Sequence, residues 1–108
     1  MIAAVLVAGA VGALIRYLVT RVLGTTGVLV VNVVGSAIGG VLLAIASGDI
    51  RIILLTGFCG GLTTFSTFTV ETIQLVLDGR IGGAVRNVAL NLVLGMGAAA
   101  LGYLIASL

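Results

Sequence analysis

Apolar residues run almost unbroken through four stretches of this chain. Each is about as long as the roughly 20 residues a helix needs to cross a bilayer. The first runs from about Met1 to Thr20 with Arg16 near its end, and the second from about Val28 to Ser47 without a charge. The third runs from about Ile52 to Leu77 and carries Glu71; the fourth runs from about Gly83 to Ser107 with Arg86 near its start. Turn-forming clusters separate them: Gly24-Thr25-Thr26-Gly27, Ser47-Gly48-Asp49 and Asp78-Gly79-Arg80. The pattern predicts an all-α integral membrane protein of four transmembrane helices, with residues 1–108 forming a single domain. The opening run has no basic stretch before it and outlasts the apolar core of a signal peptide, so its retention is expected.

The third stretch breaks the apolar pattern. Gly57-Phe58-Cys59-Gly60-Gly61-Leu62-Thr63-Thr64-Phe65-Ser66-Thr67-Phe68 places three glycines and four hydroxyl side chains at membrane depth. Backbone released from helical bonding is tolerated there only against protein or a water-filled cavity. A glycine-broken polar helix therefore points to an ion site or a permeation path. The break is expected at Gly60-Gly61, where freed carbonyls would suit a cation, and two such breaks meeting on a symmetry axis would surround it.

Composition narrows the function class. The chain is 61% hydrophobic and 7% charged, with a mean hydropathy of +1.43. Pro, His, Trp and Lys are absent, and the basic residues are Arg16, Arg21, Arg51, Arg80 and Arg86. That leaves no basic patch for nucleic acid, and no histidine for a Ser-His-Asp or Cys-His pair. Cys59 is the single cysteine, which rules out an intrachain disulfide or a CxxC motif. An enzyme is not expected. Arg16, Arg21, Arg80 and Arg86 flank the first and third connectors and Arg51 stands alone at the other end, so charge counting favours termini outside. The excess is small and specifies orientation weakly.

Each polar residue at depth has two readings. Asn32 is either interhelical glue or an N–H donor to a permeating anion. Arg16 either snorkels to the interface or holds a positive potential at a vestibule. Glu71, three residues after Phe68 and four after Thr67, is either an interfacial carboxylate or part of the same polar face. Phe65 and Phe68 share one helix side, and their positive ring edges, among Ser66 and Thr67, would suit a small hard anion. The pairs Gly35/Gly39 and Gly57/Gly61 serve either packing within a subunit or association between subunits. Four short helices surround a path poorly, so a homo-oligomer or paired subunit is the expected working unit.

The twelve-residue motif followed by Glu71 resembles the third-helix signature of the CrcB/Fluc fluoride channel family. Gly9-Ala10-Val11-Gly12-Ala13-Leu14-Ile15-Arg16-Tyr17 is similar to that family's first-helix motif, and Val31-Asn32 with Gly35 to its second. The resemblance implies a passive fluoride channel that lets cells expel fluoride through the plasma (inner) membrane. It also implies a dual-topology dimer of antiparallel subunits with two pores and a central sodium ion. By position, Gly60 and Thr63 resemble the backbone-carbonyl donors to that sodium. Phe65 and Phe68 resemble the phenylalanines of the fluoride path, and Asn32 the pore asparagine. Ser66, Thr67 and Glu71 fall near the polar track, and Arg16 resembles the vestibule arginine. One departure stands out: Leu92 to Gly102 contains no hydroxyl, where family fourth helices often supply them. Asn91 and Tyr103 are the uncharged polar residues nearest that stretch. A heterodimer with a related second chain therefore stays open. The competing class is a proton-coupled small dual-topology exporter, which needs a titratable group midway along a helix. The first two stretches hold no carboxylate and Glu71 lies toward the end of the third, which favours the channel.

Overall fold

In a computed structural model the chain is described at every residue except Thr64, with backbone alone at Thr25, Phe65, Ser66 and Thr67. The described residues are helical in seven pieces. Helices α1 (Ile2–Leu23), α2 (Thr25–Ile45) and α6 (Ile81–Ser107) are each long and apolar enough to cross a membrane. The third expected span is assembled from shorter pieces: α3 (Gly48–Arg51), a π-helical stretch (Ile52–Cys59), α4 (Gly60–Leu62) and α5 (Phe65–Leu77). No strand occurs among the described residues.

The connectors are tighter than their composition suggests. α1 and α2 are joined through Gly24 alone, at φ 65° and ψ −136°, a region that glycine enters without steric cost. Thr25, Thr26 and Gly27, expected in the turn, belong instead to the first turn of α2. The reason is contact: a Cβ on Gly27 would stand 2.8 Å from Thr20 Cα, so the glycine is needed where the helices touch. Between α2 and α3 the extended residues Ala46 and Ser47 make the corner. Arg51 closes it, donating from Nε to the Ala46 carbonyl at 3.1 Å and from a terminal nitrogen to the Leu43 carbonyl at 2.7 Å. A cation on the last carbonyls of a helix satisfies orphan acceptors and complements the helix dipole. The third connector is the expected Asp78-Gly79-Arg80. Gly79, at φ 78°, donates to the Val76 carbonyl and Arg80 to the Leu75 carbonyl, the two bonds of a Schellman motif.

α2 is the central helix, packed against α6 and against α1; the first part of the third span, up to Leu62, packs on α1, and α5 packs on α6. Small residues set these spacings. A Cβ at Gly40 would collide with the Ala99 carbonyl of α6, and one at Gly61 with the Gly9 carbonyl of α1. A Cβ at Gly57 would stand 2.9 Å from the Ala8 side chain and one at Gly39 3.4 Å from Leu55. Gly35 faces Thr63 and Leu62. Both pairs, Gly35/Gly39 and Gly57/Gly61, are therefore used for packing within the chain. Val28, Val31, Cys59, Leu62 and Ala84 form the buried core. Large apolar side chains such as Ile2, Val22, Val93 and Met96 lie outside it, as expected where lipid or another subunit replaces water.

Candidate polar pathway

The break in the third span falls at Thr63, not at Gly60-Gly61. Gly60 has helical angles (φ −63°, ψ −36°), whereas Thr63 is extended at φ −80° and ψ 156°. The two glycines are not hinges. Gly61 is small because the backbone of Gly9 occupies the place of its side chain, and Gly60 looks onto open space. The amide and the hydroxyl of Thr63 both donate to the Cys59 carbonyl, at 3.0 Å each, so the residue that ends α4 also caps it. Beyond that cap, a helix ending at Leu62 has last-turn carbonyls without partners in their own helix. Gly60 is exposed and Thr63 half-buried. Carbonyl oxygens at a half-helix end suit a hard cation. Two of them per chain fall well short of a full shell, so such a site requires a second copy.

Asn32 lies half-buried on α2 and its Nδ2 donates to Asn91 Oδ1 of α6 at 2.9 Å. The bond belongs to a longer chain of contacts. Asn91 Nδ2 donates to the Asn87 carbonyl at 2.9 Å and to Asn87 Oδ1 at 3.3 Å. Asn87 Nδ2 donates to Thr72 Oγ1 of α5 at 3.0 Å, and that hydroxyl donates to the Phe68 carbonyl at 2.8 Å. Two expected pathway residues, Asn32 and Phe68, are thus brought into one network through three residues that connect them. Asn91 was visible in the sequence as a polar candidate. Asn87 and Thr72 were not singled out, although Asn87 and Asn91 at i and i+4 share a helix face.

Glu71 stands half-buried on α5 and lines a cavity of about 620 Å³ bounded by α2, α5 and α6. Gln74, Arg80, Arg86 and Asn87 line it as well, so Asn87 belongs both to the cavity wall and to the asparagine network. Arg80 and Arg86 are exposed at this end of the molecule. Two guanidinium groups against one carboxylate leave the lining with a net positive charge, a field that concentrates anions. Arg16 is placed apart, half-buried on α1, where its carbonyl accepts from Thr20 Oγ1 at 2.9 Å. Among the described residues no hydrogen bond of the network reaches it. The side chains of Phe65, Ser66 and Thr67 lie outside the described residues; their backbone opens α5.

Comparison with known proteins identifies the family. The family model described as "CrcB-like protein, Camphor Resistance (CrcB)" matches residues 3–103. The chain is 47% identical over 105 residues to "Fluoride-specific ion channel FluC 1" of Nocardia farcinica, covering 90% of this chain and 74% of that protein. It is 41% identical over 100 residues to a protein of the same name from Yersinia pseudotuberculosis, covering 82% and 79%. With "Fluoride-specific ion channel FluC" of Pyrococcus horikoshii it shares 37% over 117 aligned positions, covering 98% and 95%. A family match across nearly the whole chain, with relatives this similar over most of their own length, makes the chain a member of the CrcB family of multi-pass membrane proteins.

Proposed function

We propose that the protein is a fluoride-selective channel that lets fluoride leave the cell passively through the inner (plasma) membrane and so lowers its cytoplasmic concentration. The observation that carries this reading is the similarity, up to 47% identity, to proteins named fluoride-specific ion channels. The polar network at membrane depth supports it, because a small anion must exchange its hydration shell for donors. In this reading Asn32, Phe65, Ser66, Thr67, Phe68 and Glu71 line the fluoride path, and Arg16 marks a vestibule. The working unit is a dual-topology homodimer. The exposed Gly60 and the break at Thr63 offer their carbonyls to a structural sodium ion shared with the second subunit. When bound, sodium would hold the two breaks together.

The absence of hydroxyls from Leu92 to Gly102 favours one further reading, half of a heterodimeric fluoride channel. Efflux from liposomes containing this chain alone, followed with a fluoride electrode beside a chloride control, tests both. Fast fluoride release without chloride release is expected, with loss of the active dimer when a large organic cation replaces sodium. No release from folded protein would reject the self-sufficient channel, and release that requires a proton gradient would point to an exporter. Full activity without sodium would remove the sodium site.

A further inference from the structure

Among the described residues, the side-chain hydrogen bonds that lead from Asn32 through Asn91, Asn87 and Thr72 to Phe68 run in one sense, and their sense is fixed at one end. The Phe68 carbonyl can only accept, so the Thr72 hydroxyl spends its single proton there. The Thr72 oxygen then receives Asn87 Nδ2, which turns the Asn87 oxygen toward Asn91 Nδ2. That in turn presents Asn91 Oδ1 to Asn32 Nδ2. Reversing any one amide would set donor against donor or acceptor against acceptor at the next contact. At reduced dielectric such a mismatch costs more than in water.

We propose that Asn91, backed by Asn87 and Thr72, is the positioning residue that fixes the sense of the Asn32 amide toward the conducted anion. The assignment rests on the channel reading above for the role of Asn32. Asn91 is not assigned contact with the ion; it acts through Asn32. The relay also connects the path to the cavity at the arginine-bearing end, because Asn87 serves both. Two amides from the first half of α6 thereby supply a polar function although the second half, from Leu92 to Gly102, carries no hydroxyl.

The test uses Asn91→Leu, which removes both halves of the link, and Thr72→Val, which keeps shape and removes only the distant anchor. Thr72 does not touch Asn32 through any bond of the relay, so a purely local role for Asn91 leaves Thr72→Val silent. Two readouts are taken on folded dimer in lipid nanodiscs or liposomes: the side-chain amide NMR resonances of Asn32, and fluoride flux. Both variants are expected to move the Asn32 amide resonances. Flux is expected to fall at least about tenfold in Asn91→Leu and about threefold in Thr72→Val. Unmoved Asn32 resonances in both variants, or flux within twofold of the native protein in Asn91→Leu, would overturn the proposal. A native protein that conducts no fluoride would instead reject the channel reading, and the amide resonances would still decide whether the relay orients Asn32.

Discussion

Asn32→Asp is expected to abolish fluoride flux without preventing folding. The substitution keeps the shape of the side chain and replaces an N–H donor with a carboxylate oxygen. In the native protein that donor faces Asn91 Oδ1 at 2.9 Å, so the variant sets oxygen against oxygen and strains the whole asparagine relay. The second effect is electrostatic. A fixed negative charge about 4 Å from a passing anion opposes it by about 4 kcal/mol at an effective dielectric of 20. Since about 1.4 kcal/mol is tenfold in rate, the flux should drop by about three orders of magnitude. Liposome efflux of the purified variant checks this, with size-exclusion chromatography to confirm an intact dimer. Ordinary flux through an intact Asn32→Asp dimer would remove Asn32 from the path and, with it, the reason for the relay.

The second large effect concerns packing and needs no assumption about function. Gly61→Val should prevent α1 from seating on the third span. Even the first carbon of the new side chain meets the carbonyl group and Cα of Gly9, and backbone does not move aside as a flexible side chain does. Gly12 makes the reciprocal contact, with a Cβ there pressing on the Phe58 carbonyl and lying 2.8 Å from the Leu62 amide nitrogen. Overpacking of this kind costs about 1–3 kcal/mol and more where nothing can relax. Gly97 is the control: it is also helical, but a Cβ there meets nothing within 4 Å. Gly97→Ala is expected to be neutral or to gain up to about 1 kcal/mol from helix propensity. Thermal unfolding in one detergent compares the variants, and a Gly61→Val protein as stable as Gly97→Ala would contradict the packing described.

The all-helical class and three of the four membrane stretches were legible because the bilayer imposes one simple demand, about 20 apolar residues, on each helix; the third stretch is instead built from shorter pieces. The Asp78-Gly79-Arg80 turn was legible because its glycine stands at the left-handed position that ends α5. Gly24-Thr25-Thr26-Gly27 misled because composition does not separate a turn residue from a small residue at a helix contact; Gly27 is the latter. The same ambiguity displaced the expected break. Gly60-Gly61 had the signature of an unwound segment, yet Gly61 is there for the approach of Gly9 and the chain opens at Thr63, whose hydroxyl caps the preceding turn. The π-helical geometry of Ile52–Cys59 has no signal in the sequence Ile52-Ile53-Leu54-Leu55-Thr56-Gly57-Phe58-Cys59. As for the site, Asn32 was legible as an isolated polar residue in an apolar stretch. Its pairing with Asn91, itself visible as a polar residue, was not, because a bond between residues 59 apart in sequence depends on the register of two packed helices.

The opening at Thr63 also bears on how the protein is made. α1, α2 and α6 satisfy their own backbone and can enter lipid one at a time. The third span cannot: leaving a peptide group unpaired in hydrocarbon costs several kcal/mol. The backbone of α1 at Gly12 lies against this span just before its break, close to Phe58 and the Leu62 amide nitrogen, and it leaves the ribosome well before Thr63 does. Glycosylation-tag mapping of truncated nascent chains checks the implied order: the third span should integrate poorly when α1 is deleted or replaced by polyleucine, and equal integration would refute it. The first helix is then an assembly template for the broken one, so substitutions on its glycine face would act first as defects of biogenesis, lowering the amount of protein in the membrane before any property of the finished molecule is touched.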